Sequence, residues 1–252
     1  MVYEVPVEGS ITRFVCVFSD NVPQEVMPVR SGRVPFLYIQ REWDAVFMHF
    51  GGSGTAADHS AFSFYGHKLY NRIAVVLDGL KGKWSGYFYR DKSKPSTHDF
   101  VGKPMLAQEL YNYQPEPVNW LFDEGVLYPG DTFLEIKLKL CSGNENFVSY
   151  TYDPENNAYL RYMGGRKFIS AETDRQVSVK NVIVQHSTYE VVHEIKLWKL
   201  VGEGKADFYI GGKRVEGRWK RESENSKTMY YDALGNRIVL LPGNTWIHFS
   251  PA

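Results

Sequence analysis

The spacing of apolar residues changes near the middle of the chain. In the first half three runs are apolar on both faces: FVCVF (14–18), AVFMHF (45–50) and IAVVL (73–77). Short uninterrupted runs of this kind predict strands covered on both sides. Two segments of helical length lie between them. One is VPFLYIQREW (34–43), entered through Ser31 and Pro35, and the other is TAADHSAFSFYGHKLYN (55–71), entered from GGSG. PMLAQELY (104–111) predicts a further short helix. Strand and helix alternate, which argues for an α/β layer arrangement.

Beyond YNYQPEPVNW (111–120), whose two prolines mark a boundary, the period becomes two. In TFLEIKLKL (132–140), Leu134, Ile136, Leu138 and Leu140 face one way and Glu135, Lys137 and Lys139 the other. That alternation predicts a half-buried antiparallel strand, and HEIKLWKL (193–200) and ADFYIGG (206–212) repeat it. Hairpin signals stand at GGK (211–213) and ALGN (233–236), and PGNTW (242–246) turns into a last strand. The expected class is therefore α+β. An N-terminal α/β layered domain with a mixed sheet covers 1–118, and a mainly antiparallel β-rich domain covers 119–252.

Charge narrows the function. Lys+Arg and Asp+Glu both number 29 in the 252 residues, so the balance lacks the basic excess of a general nucleic-acid binder. An anion site must be a local cluster. Aromatics make up 15%, which suits both a β-rich core and sugar-stacking platforms. No run approaches the length of a membrane helix, and no basic region followed by an apolar one opens the chain. Strand-like VYEVPVEG begins at residue 2, from which the chain is expected to start inside a longer protein. Cys16, within FVCVF, reads as a buried small hydrophobe. A disulfide to Cys141 stays open, and neither cysteine has metal-ligand spacing.

MPVRSGRVPF (27–36) sets Arg30 and Arg33 on either side of Ser31 and Gly32. Ser31 is a candidate N-cap for the helix that follows. AVFMHFGGSGT leaves a strand through Gly51, Gly52 and Ser53 into a second predicted helix. Both places offer backbone N–H groups and a positive dipole end, so a phosphate, sulfate or carboxylate suits them. Pairing of the arginines with Glu42 or Asp44 is the structural alternative.

Other chemistry is weaker. Glu4 and Glu8 share a strand face but would lie about 13 Å apart at ~3.3 Å per residue, beyond the roughly 5–9.5 Å of glycosidase carboxylate pairs. Glu8 and Arg13 flank a Gly-Ser kink, with a structural ion pair as the default. G-x-S-x-T after a strand loosely resembles a nucleophile elbow, with Ser53 as nucleophile and His98 or His59 as base, but Thr55 replaces the second glycine. The histidines show no metal-binding spacing, and neither metal nor cofactor is expected. His49 ends a predicted buried strand, where a hydrogen-bonded structural role competes with a functional one. FYRDKSKPSTHDF (88–100) brings Arg90 and His98 after the third run. His49, the GGSG turn and the region after Leu77 all fall at carboxyl ends of predicted strands, where open α/β sheets gather ligands.

The series VYEVPVEGSITRFVCVFSD, PVRSGR, EWDAVFMHFGGS and FYRDKSKPSTHDF resembles the YerB-type bacterial lipoproteins, a family of unknown function. So do NVIVQ, GEGKADFYIGGKRVEGRWKR and YYDALGNRIVLLPGNTWIHF near the end. The resemblance runs nearly the whole length. It implies an extracytoplasmic protein held at the membrane by a lipid-modified cysteine, which this chain lacks, and a two-region layout. It highlights Glu8, Arg13, Arg30, Ser31, Arg33, His49, Gly51, Gly52 and Ser53. In the later loop relatives carry an Arg-x-Ala-Pro-His-Asn pattern, where this chain has Lys94-Pro95-Ser96-Thr97-His98-Asp99.

Three functions follow as expectations. The first is a cell-envelope binding protein holding an anionic small molecule or wall polymer, a lipid-linked precursor or a phosphorylated sugar. Arg30 and Arg33 would clamp it, Arg13 would add charge, and the Gly51–Ser53 backbone with Ser31 and Ser53 would supply hydrogen bonds, with Arg90 and His98 as further ligand-binding candidates. The second is a hydrolase or transferase on the same substrates, with His49 or His98 as general base and Glu8 orienting it. The third is a protein-interaction module in which the arginines are structural.

Overall fold

The computed structural model of the chain describes residues 1–54, 62–110, 120–141 and 147–252. It is α+β and predominantly strand, with mixed and antiparallel sheets. The chain divides into two compact units. One comprises Met1–Val17, Asn119–Ser223 and Thr228–Ala252; the other comprises Phe18–Val118 and Glu224–Lys227. Residues 1–17 belong with the β-rich unit. The physical reason is pairing: Val2–Pro6 runs parallel to the last strand, Thr245–Pro251, with Glu4 opposite His248.

The β-rich unit is built on a seven-stranded sheet. Its order is Met229–Asp232, Lys213–Arg221, Gly202–Ile210, Asn181–Ser187, Thr245–Pro251, Val2–Pro6 and Thr12–Cys16. Thr245–Pro251 is parallel to both its neighbours, and the other pairs are antiparallel. Strands with parallel neighbours on both sides belong inside sheets, and TWIHF is accordingly buried throughout. The expected GGK hairpin forms at Gly211 and Gly212, with φ of 57° and 75°, the left-handed pair that a two-residue turn between twisted strands needs.

A second, antiparallel sheet contains Glu135–Leu138, Val148–Asp153, Ala158–Met163 and Arg166–Lys167. Its Ile136, Val148, Tyr150 and Tyr159 pack with Val182, Val184 and Trp246 of the first sheet. Of the predicted alternating set, Ile136, Leu138 and Leu140 are buried and Leu134 is exposed. Ile195–Trp198 forms a separate hairpin with Tyr189–Val192, and the Trp198 indole N–H donates to the Pro6 carbonyl at 3.0 Å.

Within this core lies a charged network that spacing gave no sign of. Glu4, Arg161 and His248 are all fully buried. Arg161 Nη1 donates to the Tyr150 hydroxyl at 3.2 Å, and that hydroxyl is 2.8 Å from His248 Nε2. Because the tyrosine accepts from arginine, its own proton goes to His248 Nε2, which leaves the ring proton on Nδ1, 3.3 Å from Glu4 Oε2. Glu4 Oε2 is also 3.0 Å from Arg161 Nη2. That contact is close without being aligned as a hydrogen bond, so its attraction is Coulombic. The guanidinium lies 4.3 Å and 4.6 Å from the Trp246 and Phe168 ring centres, a cation–π setting. Burial pushes the Glu4 carboxyl up, but His248, Arg161 and Thr12 outweigh it and hold it below the ordinary value. Burial keeps His248 neutral by lowering its pKa.

The second unit contains the helix Val34–Trp43, predicted from its pattern, followed by Phe47–His49. That strand runs parallel to Val76–Asp78. Phe88–Arg90 pairs antiparallel with Phe100–Gly102, and Pro104–Ala107 forms the expected short helix. Three expectations are corrected. FVCVF is the edge of the other unit's sheet rather than a covered strand of this one, and Cys16 is exposed and free. Cys141 is also free, so no disulfide joins them. The helix over 55–71 is absent from 62–71, which forms turns ending in a 3-10 turn, Tyr70–Arg72; residues 55–61 lie outside the described residues, including Asp58 and His59. Side chains capture its backbone instead: Gly66 N–H donates to Ser63 Oγ and Leu69 N–H to His67 Nδ1. Among the described residues no helix is long and apolar enough to cross a membrane.

Candidate functional site

Two loops, RSGR (30–33) and FGGS (50–53), lie side by side. Phe50 N–H donates to the Arg30 carbonyl, Gly32 N–H to Gly51 O and Ser53 N–H to Gly32 O, at 2.9–3.1 Å. RSGR and FGGS therefore form a short parallel pairing beyond the carboxyl end of Phe47–His49. The glycines serve packing here. A Cβ at Gly32 or Gly52 would stand 2.3 Å from the Phe64 ring, which is fully buried on both.

The anion this turn holds is the protein's own. Asp78 Oδ1 accepts from Gly51 N–H at 3.0 Å and from Leu80 N–H at 3.1 Å, and Oδ2 accepts from the Tyr65 hydroxyl at 2.8 Å. Burial pushes the Asp78 carboxyl up. The Leu80 and Gly51 N–H groups, His49 and Tyr65 reverse that and leave it below the ordinary carboxylate value. The Tyr65 hydroxyl is pushed up by its own burial and by Asp78.

His49 is 2% exposed. Its Nδ1 lies 2.8 Å from Gly51 O, which can only accept, so the proton sits on Nδ1 and Nε2 is an acceptor. Asp78 Oδ1 is 3.9 Å from the same Nδ1. Burial lowers the His49 pKa despite Asp78, so the ring is neutral. Phe64, Tyr65 and Tyr70 surround it, with ring centres 4.9–6.3 Å away. Among the described residues, His49 Nε2, Ser53 Oγ and the Tyr70 hydroxyl are buried without a hydrogen-bond partner. Lys81 Nζ stands 6.0 Å and 5.8 Å from the Tyr65 and Tyr70 ring centres. Leu80, 64% exposed, and the Ser31 hydroxyl both border Gly51.

The remaining predicted residues divide. Arg33 is buried and turns back on its own loop, donating to Gly32 O at 2.9 Å and Ser31 O at 3.3 Å. It also occupies the helix N-cap expected of Ser31, with extended φ of −133° and no side-chain cap. The predicted clamp of two arginines thus reduces to Arg30, whose guanidinium makes no hydrogen bond or ion pair among the described residues. Arg90 lies flat on Phe100, 3.7 Å from its centre, and donates to Asp99 at 2.6 Å. The aspartate that departs from the family pattern is therefore Arg90's partner. His98 is exposed, its Nδ1 3.0 Å from the Thr97 hydroxyl. Glu8 and Arg13 form a 4.0 Å ion pair in the β-rich unit, as their structural reading expects. Lys81, Asp78, Tyr65 and Tyr70 were missed. Only the position of Asp78, immediately after the third apolar run, could have signalled them.

Two family models match the chain. The one described as Protein of unknown function (DUF3048) N-terminal domain covers residues 1–115, and its C-terminal counterpart covers 136–247. Over 259 residues the chain is 26% identical to "Putative lipoprotein YerB" of Bacillus subtilis (strain 168), covering all of this chain and 74% of that one. The crystal structure of YerB protein from Bacillus subtilis shares the fold, with a TM-score of 0.81 at 23% identity. That match covers 100% of this chain and 83% of the other.

Proposed function

Since the chain belongs to the DUF3048 family, whose two domain models together span most of it, we propose that it is an extracytoplasmic cell-envelope binding protein. Its ligand is anionic, a wall polymer, a lipid-linked precursor or a phosphorylated sugar. The name of the Bacillus relative supports the address. One observation carries the ligand class: RSGR and FGGS, far apart in sequence, converge at the carboxyl ends of two parallel strands with the Arg30 guanidinium uncommitted. Arg30 and Lys81 supply the charge. Arg33 and the Gly51 N–H stay inside the protein as scaffold.

Binding is favoured over catalysis by the state of the histidines. His49 is neutral but enclosed, and its Asp78 neighbour is committed to backbone N–H groups. Among the described residues the His98 ring has only the Thr97 hydroxyl at hydrogen-bonding distance. A general base must reach the proton it removes.

A thermal-shift panel of phosphate, sulfate, polyol phosphates, nucleotide sugars and wall fragments tests this reading. A ligand at 100 times its Kd adds about 2.7 kcal/mol, roughly 5–10 °C for a chain of this size. The shift should vanish in a folded Arg30→Ala/Lys81→Ala variant. Equal shifts in both proteins, or none with any anion, would remove the proposal.

A further inference from the structure

The outer edge of the seven-stranded sheet is a self-complementary strand. Among the described residues Thr12–Cys16 pairs only with Val2–Pro6, as the last strand of the order. Met1 and Val17 exchange both backbone hydrogen bonds, at 3.0 Å and 2.8 Å, and Val7 N–H donates to Ile11 O at 2.9 Å. In an antiparallel ladder this pattern alternates. Ile11, Arg13, Val15 and Val17 therefore turn their N–H and C=O groups inward, and Thr12, Phe14 and Cys16 turn theirs outward. Among the described residues nothing hydrogen-bonds to those outward groups of Phe14 and Cys16.

The residues on this edge are apolar. Phe14 is 39% and Phe18 43% exposed, and Cys16 is exposed as well. Open edges are normally guarded by lysine, proline or a bulge, and residues 14–18 carry none of these. The sequence there, Phe-Val-Cys-Val-Phe, reads the same in both directions about Cys16. A two-fold interface presents one patch to itself, so residue i meets j and j meets i. An antiparallel strand centred on Cys16 meets that condition residue by residue: Cys16 faces Cys16 of the second copy, Phe14 faces Phe18 and Val15 faces Val17.

We propose that this edge is a homodimer interface, in which two copies of the chain join their sheets antiparallel about Cys16. The outward N–H and C=O of Cys16 pair reciprocally across the axis, with the phenylalanines stacked on both sides. Paired residues of this type sit with Cα atoms about 5.5 Å apart, within the range that a disulfide spans. Loss of two protons and two electrons from the facing thiols, taken up by a mild oxidant such as diamide, would lock the dimer covalently.

The test is sedimentation equilibrium of the chain under reducing conditions across a wide concentration range, beside Cys16→Pro and Phe18→Lys. Proline removes only the outward N–H of residue 16, which the sheet does not use, and an edge strand tolerates it. Phe18→Lys keeps the readout if proline disturbs folding. The wild type should dimerise with rising concentration, and both variants should stay monomeric with unchanged circular dichroism. The amides of Phe14 and Cys16 should also gain protection from hydrogen exchange with concentration, while those of Arg13 and Val15 stay constant. With Cys141→Ser, diamide should yield a covalent dimer that Cys16→Ser abolishes. A wild type that stays monomeric throughout, or a dimer that persists in both variants, would overturn the proposal.

Discussion

Replacing Arg161 by methionine removes the cation that faces Glu4 in the closed interior of the β-rich unit. The two charges stand 3.0 Å apart. At an effective dielectric near 20 their attraction is about 5 kcal/mol. Withdrawing each ion from water costs several kcal/mol, so the intact pair is close to neutral in its net effect. Taking away one partner is different. Glu4 would keep its desolvation cost with only Thr12 and His248 to offset it, and such stranded charges destabilise by about 3–5 kcal/mol. Arg161→Met and Glu4→Gln should each fall in that range. The double variant should lose far less than the sum of the two, leaving a coupling of about 2 kcal/mol or more. Guanidinium chloride unfolding followed by tryptophan fluorescence measures this, with Trp246 reporting from beside the guanidinium. Single costs under about 1 kcal/mol, or costs that add within about 0.5 kcal/mol, would refute the account.

Other outcomes follow from the same geometry. Gly52→Ala should destabilise by about 1–3 kcal/mol, because the new methyl meets the Phe64 ring while the backbone angle there is ordinary for alanine; a neutral result in chemical denaturation would show that the ring can shift. Acidification should weaken the fold in two stages. His49 and His248 are held neutral below their ordinary 6.5, so the unfolded chain binds more protons and stability declines as pH drops below about that value. Glu4 and Asp78, held below the ordinary 4.5 and 3.8, extend the loss as pH falls further. Denaturation midpoints that stay flat from pH 7.5 to pH 5 would contradict this. Asp99→Asn takes the charge from Arg90's partner, and because Asp99 itself is buried thermal unfolding should register a loss of about 1–3 kcal/mol.

Local pattern made the local elements legible. VPFLYIQREW is a helix from first to last residue, the GGK turn closes its hairpin and TWIHF opens the last strand. RSGR and FGGS were expected to line one anion site, but their backbone pairing was not legible, since the hydrogen bonds join segments with no common periodicity. FVCVF misled because an apolar run looks the same at an open edge as in a covered sheet. What differs is the neighbour, and Val2–Pro6 owes its place to a strand at the far end of the chain. Arg33 misled for the opposite reason. A guanidinium beside a glycine reads as a ligand contact, and here it satisfies the carbonyls of its own turn. Glu4, Arg161 and His248 carry no spacing signal at all, because three separate strands bring them together.

The parallel pairing of Val2–Pro6 with Thr245–Pro251 has a consequence for biogenesis. The second strand is made some 240 residues after the first, so the β-rich unit cannot complete its sheet while the chain is still emerging. The Phe18–Val118 unit, inserted in its sequence, has nearly all its residues in hand long before. Segments that emerge first and pair last carry the largest loop-closure entropy and the longest exposure to wrong partners. Val2–Pro6 can pair at once with Thr12–Cys16, but its other edge must wait open through synthesis, and that edge is the stretch on which a chaperone would act.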